Sequence, residues 1–286
     1  MAHQDYSNPT NEVHQVQLPK FEKSEDSSLP GFTKEVPLRS IVKRHGSNIM
    51  IEYEWSVLGG EEIRISMATC RKDSNLDKVH KIRIKDGEEV GYFRVDSTTY
   101  IIRKTSESIA KELMKTTGKI KASVLEVVGF LKTVQGNFYT ISKLEEDAWS
   151  MDPRTGLKNF SLERMSEGEK RRFTDLVIDE LLKLYRQGYA LRNFSISDVI
   201  VTRKKVVLGN MAPLAKVATG KRVDGFLGNL KAMVKAGVAY REDITYGLAL
   251  SMEAMKKEYA SWSRDNGLEE KGQLEVLESL ETRVLN

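Results

Sequence analysis

The stretch from Ile178 to Ala212 restricts the fold more than any other part of this 286-residue chain. Leu181, Leu182, Leu184 and Tyr185 give the apolar face of a helix, and Gly188 is suited to ending it in a left-handed turn. Tyr189-Ala-Leu-Arg-Asn193 then runs into a loop. Val199-Ile-Val-Thr202 and Lys205-Val-Val-Leu208 are two short β-branched runs joined by the basic turn Arg203-Lys204. The order is helix, loop, strand, turn, strand.

Upstream the pattern has mostly period two. Asn48 to Trp55 and Glu62 to Met67 both alternate, with Gly59-Gly60 between them as a tight hairpin. That glycine pair lacks the Lys-Ser/Thr partner and the following helix of a phosphate loop. Lys78 to Ile84, Tyr92 to Val95 and Thr99 to Lys104 read as three more short strands, His80 being an exposed strand residue. Thr105 to Lys115 combines an N-cap candidate with helix formers. Val124 to Leu131 and Asn137 to Leu144 are strands around Gln135-Gly136, and Glu145-Glu-Asp147 breaks the pattern. Met151 to Gly156 is a loop, and Ser166-Glu-Gly-Glu169 opens the long helix with a capping-box pattern.

Composition narrows the class. Hydrophobic residues make up 40% and charged residues 30%, as in globular proteins, and a net charge of +4 with interleaved signs gives no indication of nucleic acid. Cys70 is the only cysteine, which excludes an intrachain disulfide and suits a reducing compartment. Four His and one Cys show no metal or triad spacing. No long apolar run predicts a membrane span, so the expected location is the cytoplasm. Residues 1–37 hold four of the six prolines and no sustained apolar period, which predicts a flexible tail. Leu18-Pro-Lys-Phe21 or Leu29-Pro-Gly-Phe32 within it could serve as a short linear motif.

Taken together, this order of elements resembles the protein kinases. Leu191-Arg192-Asn193 stands where the family has His-Arg-Asp, Asp198 where it has the catalytic-loop Asn, and Asn210-Met211-Ala212 where it has Asp-Phe-Gly. Arg192 alone keeps the family's residue. The Asp of His-Arg-Asp accepts a hydroxyl proton and that of Asp-Phe-Gly holds Mg²⁺; Asn193 and Asn210 keep the shape without the charge or basicity, while Asp198 retains one carboxylate for weak metal binding. The resemblance further implies that Gly87-Glu-Glu-Val-Gly91 takes the place of the glycine-rich loop and that Lys104 or Arg103 takes that of the phosphate-pairing Lys, with Glu112 as its partner. Glu88 and Glu89 would set negative charge against a polyphosphate. Asp243, in Arg241-Glu-Asp243-Ile-Thr-Tyr-Gly247, matches the family's structural Asp and would accept hydrogen bonds from the backbone of the 191–193 loop. No Ala-Pro-Glu follows Asn210.

The expectation is a two-lobed, protein-kinase-like α+β chain: a disordered tail at 1–37, a β-rich N-lobe with an extra N-terminal hairpin and one short helix at 38–146, and a shortened helical C-lobe at 147–286. Beyond Gly247 there is room for the rest of that helix and one more, Leu268 to Leu285. Lys221, Arg222, Lys231 and Lys235 flank an apolar helix and form a solvent face or an acidic partner's contact. The implied function is a catalytically inactive pseudokinase that binds another protein as a scaffold. It needs no cofactor, although weak ATP and Mg²⁺ binding stays open. Alternatives are an atypical phosphotransferase using Asp198 and Lys104, and a structural or assembly protein.

Overall fold

A computed structural model describes three strands at 38–45, 48–55 and 65–71 by their backbone, together with residues 89–95, 98–133, 136–144, 147–218 and 221–286. The expectations for the 1–37 tail, for Gly59-Gly60, for Lys78 to Ile84 with His80, and for Gly87 and Glu88 lie outside the described residues. Within them, seven strands form one antiparallel sheet. These are β1 (Leu38–His45), β2 (Asn48–Trp55), β3 (Ile65–Arg71), β4 (Val90–Val95), β5 (Thr98–Thr105), β6 (Val127–Thr133) and β7 (Phe138–Leu144), in the order β1-β2-β3-β6-β7-β5-β4. The extra N-terminal strands extend the sheet beyond β6.

One helix, α1 (Glu107–Thr116), interrupts the sheet strands between β5 and β6. Ser106 starts it by accepting a hydrogen bond from Ile109 N at 3.3 Å, and Ala110 and Leu113 form its buried face. The period-two pattern of β5 places Ile101 and Arg103 on the face toward the helical lobe and Tyr100, Ile102 and Lys104 on the other, where Tyr100 stacks on Phe93 at 4.8 Å.

The second lobe is built on α2 (Glu167–Arg186). Ser166 and Glu169 make the capping box, with Glu169 accepting from Ser166 N at 2.8 Å. The helix ends as the sequence predicts: Gly188, at φ 82°, donates to Tyr185 O at 2.9 Å. Its inner face holds Ile178, Leu181 and Leu184, each fully buried and contributing ~1.5–3 kcal/mol by burial. Around it lie β8 (Ala148–Ser150), β9 (Lys158–Asn159), β10 (Tyr189–Leu191), β11 (Val199–Thr202), β12 (Val206–Leu208), β13 (Leu214–Lys216), α3 (Arg222–Lys235), α4 (Arg241–Ala254), α5 (Lys256–Asp265) and α6 (Gln273–Leu285). The α4 helix approaches α2 closely at Gly247, where a Cβ would lie 3.1 Å from Ile178 Cδ1.

The fold is therefore a two-lobed, protein-kinase-like α+β arrangement, with an antiparallel sheet and one helix in the first lobe and a largely helical second lobe. The C-terminal part corrects one expectation. Beyond Gly247 there are two further helices, α5 and α6, rather than one. The break between α4 and α5 falls at Met255, which leaves helical geometry at φ −128°, ψ 43° without a Pro or Gly to announce it. Buried Tyr259 and Trp262 then fix α5, the first through a 2.6 Å hydrogen bond between its hydroxyl and that of Ser251. No helix among the described residues is long and apolar enough to cross a membrane.

Candidate functional site

The cleft expected between the lobes is filled where β4 and β5 meet the β11–β12 hairpin. Alternation along that hairpin divides its side chains between two cores. Val199, Val201, Val206 and Leu208 face the helical core, while Ile200 and Val207, paired across the hairpin, face the cleft. There they meet Val90, Ile101, Leu125, Leu144 and Ala148, all buried, to form one apolar cluster shared by the lobes.

Beside this cluster is a polar group. Arg103 Nη1 lies 3.3 Å from Asp198 Oδ1, with 9% and 17% of the two side chains exposed. Asn210 Nδ2 donates to the other oxygen, Asp198 Oδ2, at 3.3 Å, and Asn210 Oδ1 accepts from Ala212 N at 3.2 Å. The backbone is drawn tight at the same point, because Gly209 N donates to Asp198 O at 2.8 Å and a Cβ on Gly209 would sit 2.4 Å from that carbonyl oxygen. Only glycine fits. Burial pushes the Asp198 carboxyl above its usual range; Arg103 and the Asn210 amide pull it back, and Asp152 adds to the rise. Burial likewise lowers Arg103 from its ordinary value, with Asp198 and Asp152 opposing. Among the described residues, the buried Arg103 Nε and Nη2 and the Thr105 hydroxyl have no hydrogen-bond partner.

Asp152 and Arg154 complete the charged neighbourhood, and sequence reasoning missed both. Asp152, 8% exposed, accepts from Arg154 N at 3.0 Å, from Arg154 Nε at 2.9 Å and, on its other oxygen, from Arg154 Nη2 at 3.1 Å. The signal was present in Asp152-Pro153-Arg154, since an Asp before a Pro is a ready cap for a helical turn, here the 3₁₀ turn Pro153–Thr155.

The structure thus brings together Asp198 and Asn210, with Arg103 rather than Lys104 facing them. Lys104 is the next residue along β5 and points from the opposite face of the sheet, as alternation requires. Glu112 is exposed on α1, and among the described residues no ion pair joins it to Arg103 or Lys104; the helix turns Ala110 and Leu113 inward instead. The Arg192 side chain is exposed, and its N–H donates to Pro213 O at 3.0 Å. Asn193, exposed, is the one non-glycine residue of positive φ among the described residues, at 56°, a conformation that Asn tolerates. Arg222, from the basic set on α3, is paired with Glu258 at 2.8 Å.

Asp243 corrects a further expectation. Its carboxylate is buried but accepts from Tyr240 N at 2.8 Å, three residues back, and not from the 191–193 loop. An acid in the first turn of α4 finds its own helix's free N–H groups first.

No family model and no curated protein matches the sequence. Among solved structures the chain is similar to WaaP in complex with acyl carrier protein, at 12% identity and a TM-score of 0.44 over 72% of this chain and 88% of that one. It is also similar to WbdD in co-crystal with the kinase inhibitor LY294002, at 9% identity and a TM-score of 0.42, covering 73% of this chain and 46% of that one. The kinase domain of Mycobacterium tuberculosis PknI aligns at 10% identity and a TM-score of 0.34, over 71% and 89%.

Proposed function

We propose that this chain is a kinase-like domain that transfers no phosphate and acts by binding another protein. The observation that carries the reading is the occupation of Asp198: one carboxylate oxygen is engaged by Arg103 and the other by Asn210. A divalent cation there would have to displace a buried cation and an amide, and the neighbouring carboxylate of Asp152 is already taken by Arg154. The residues present therefore fit magnesium poorly. The purine of a nucleotide fits no better, because the apolar cluster around Ile101, Ile200 and Val207 fills the space between the lobes with side chains.

The chemistry of the remaining groups agrees. A phosphoryl acceptor needs a base within hydrogen-bond reach of its proton, and Asn193 has an amide with no basicity to offer. Lys104 lies on the far face of the sheet from Asp198, which argues against a phosphotransferase that uses the two together. A fold with these two lobes and no acid–base pair retains its surfaces, and binding is the use left to them.

The test is phosphate incorporation from radiolabelled ATP, in a preparation free of other kinases, into the protein itself and into general acceptors. The expected result is none. Incorporation that Asp198→Ala abolishes would overturn the proposal.

A further inference from the structure

A hollow of about 280 Å³ opens between α1 and β13. One wall is the face of α1 that carries Ile109, Glu112, Leu113 and Thr116, spaced i, i+3, i+4, i+7; the other is Tyr189 of β10 with Leu214, Ala215 and Lys216 of β13. The left-handed turn at Gly188 brings Tyr189 there from the end of α2. The volume is just below the ~300–1,000 Å³ of small-molecule sites, which suits one or two apolar side chains rather than a whole ligand. Ile109, 37% exposed, is one of four large apolar side chains left open to water among the described residues.

The surroundings of the hollow are positive. Lys111 and Lys183 are taken by Glu107 and Glu180, whereas Lys115, Lys119, Lys121 and Lys216, all exposed, make no ion pair among the described residues. Lys121 is tied to the end of α2, two residues from Tyr189, because its N–H donates to Gln187 Oε1 at 2.9 Å. Glu112 is the one acid in the lining. Such a surface fits a pair of apolar side chains flanked by acids. The chain carries that pattern in residues 24–32, where Glu25 and Asp26 precede Leu29 and Phe32 with no base among them. Leu18-Pro-Lys-Phe21 has the same apolar spacing, but Lys20 within it and Lys23 after it would set like charge against the lysines.

The register of the sheet puts this segment within reach. β1 begins at Leu38, opposite Trp55, and the pairings of β2, β3 and β6 carry that end of the sheet to Thr133. β5 finishes at the same end, where Thr105 pairs with Phe138, and α1 follows at once. From β1 to β6, on which α1 packs through Ala110 against Phe130 and Phe138, is three strand spacings, ~14 Å, and the hollow lies ~9 Å further along α1. Leu29 precedes Leu38 by nine residues, a reach of up to ~30 Å. We propose that the hollow between α1 and β13 is the seat of the chain's own Leu29-Pro-Gly-Phe32 segment, with Leu29 and Phe32 on its apolar lining and Glu25 and Asp26 among the lysines. Tethering holds the segment at an effective concentration on the order of millimolar, so modest affinity keeps the hollow filled.

Photo-cross-linking of the full chain tests this. A benzophenone amino acid is placed at position 112, exposed on the α1 wall, and in a second protein at position 246, exposed on α4. On irradiation the probe at 112 should capture the tryptic peptide Ser24–Lys34 within the same chain, and the probe at 246 should not. Leu29→Ser with Phe32→Ser should cut the yield at 112 by about tenfold, and molar salt should lower it through the charged share of the contact. Both substitutions lie outside the two packed lobes. Four results would overturn the proposal: no capture of Ser24–Lys34 from 112, equal capture from 112 and 246, a yield that ignores the double variant, or a cross-link that joins two chains and so makes a second copy the occupant.

Discussion

The cleft and the helical core treat buried polar groups differently. In the helical core Asn229 Nδ2 donates to the Tyr185 hydroxyl at 3.1 Å, Trp262 Nε1 donates to Asp224 at 2.8 Å, and the Thr174 hydroxyl donates to Val238 O at 2.5 Å. These bonds are neutral or singly charged and leave their groups satisfied. In the cleft an ion pair is buried, burial shifts both members toward their neutral forms, and two guanidinium nitrogens have no hydrogen-bond partner among the described residues. The core uses polarity to fix one packing. The cleft carries polarity at a cost, which in a folded chain is a mark of a place kept for something other than stability.

Changing the ion pair should have the largest effect. Arg103→Met leaves Asp198 as an uncompensated buried carboxylate and should cost ~3–5 kcal/mol in denaturant unfolding at neutral pH, whereas Arg103→Met with Asp198→Leu should lie within ~1 kcal/mol of the parent or above it. A double variant as unstable as the single one would show that the pair is a net stabiliser and would end the contrast with the core. The pH dependence has a definite sign. The folded-state pKa of Asp198 is raised, and loss of Arg103 removes an influence that lowers it, so the folded state holds more protons than the unfolded one between the unfolded value and the raised one. Stability from this group is greater at low pH and falls as pH rises through that window, and the deficit of Arg103→Met should shrink on acidification.

Two glycines sharpen the comparison at the backbone. Gly156 (φ 66°) and Gly136 (φ 87°) are both left-handed, but a Cβ at Gly156 meets the Tyr92 ring while one at Gly136 meets nothing within 4 Å. Gly136→Ala should cost ~1–2 kcal/mol for its backbone alone. Gly156→Ala should cost more by whatever it takes to move the ring, and equal losses would mean that Tyr92 is free to yield.

In the core, Tyr185→Phe strands the Asn229 amide and should cost ~1–3 kcal/mol. The smallest effect belongs to Asp243. As a cap, it should tolerate Asn within ~0.5 kcal/mol and lose about 1 kcal/mol as Ala. A large loss for Asp243→Asn would point to a role for its charge that the Tyr240 hydrogen bond does not explain.

The sequence made the long elements legible because their signals are local. The α2 helix carries its own start at Ser166 and its stop at Gly188, and the β11 and β12 strands stand out as β-branched runs. Strands β8, β10 and β13 have three residues each and no β-branched residue to mark them, and exist through pairing partners far along the chain. The site was half legible for the same reason. Asp198 and Asn210 flank one hairpin and could be grouped by position, but the choice between Arg103 and Lys104 depends on the register of β5 against β7, where Arg103 pairs with Thr140. A shift by one residue would have turned Lys104 to the cleft. Asp152 joined the group only through the return of the chain along β11.

The most direct test of the account is thermal unfolding of the intact chain with and without Mg²⁺ and ATP. A nucleotide that bound the folded state would stabilise it by about 2.7 kcal/mol at ~100-fold over its dissociation constant. With Ile101, Ile200 and Val207 in contact across the cleft and Asp198 held by Arg103 and Asn210, the account predicts an unchanged melting temperature at millimolar Mg²⁺ and ATP. A saturable rise that Arg103→Met removes would contradict it and place the nucleotide in the cleft.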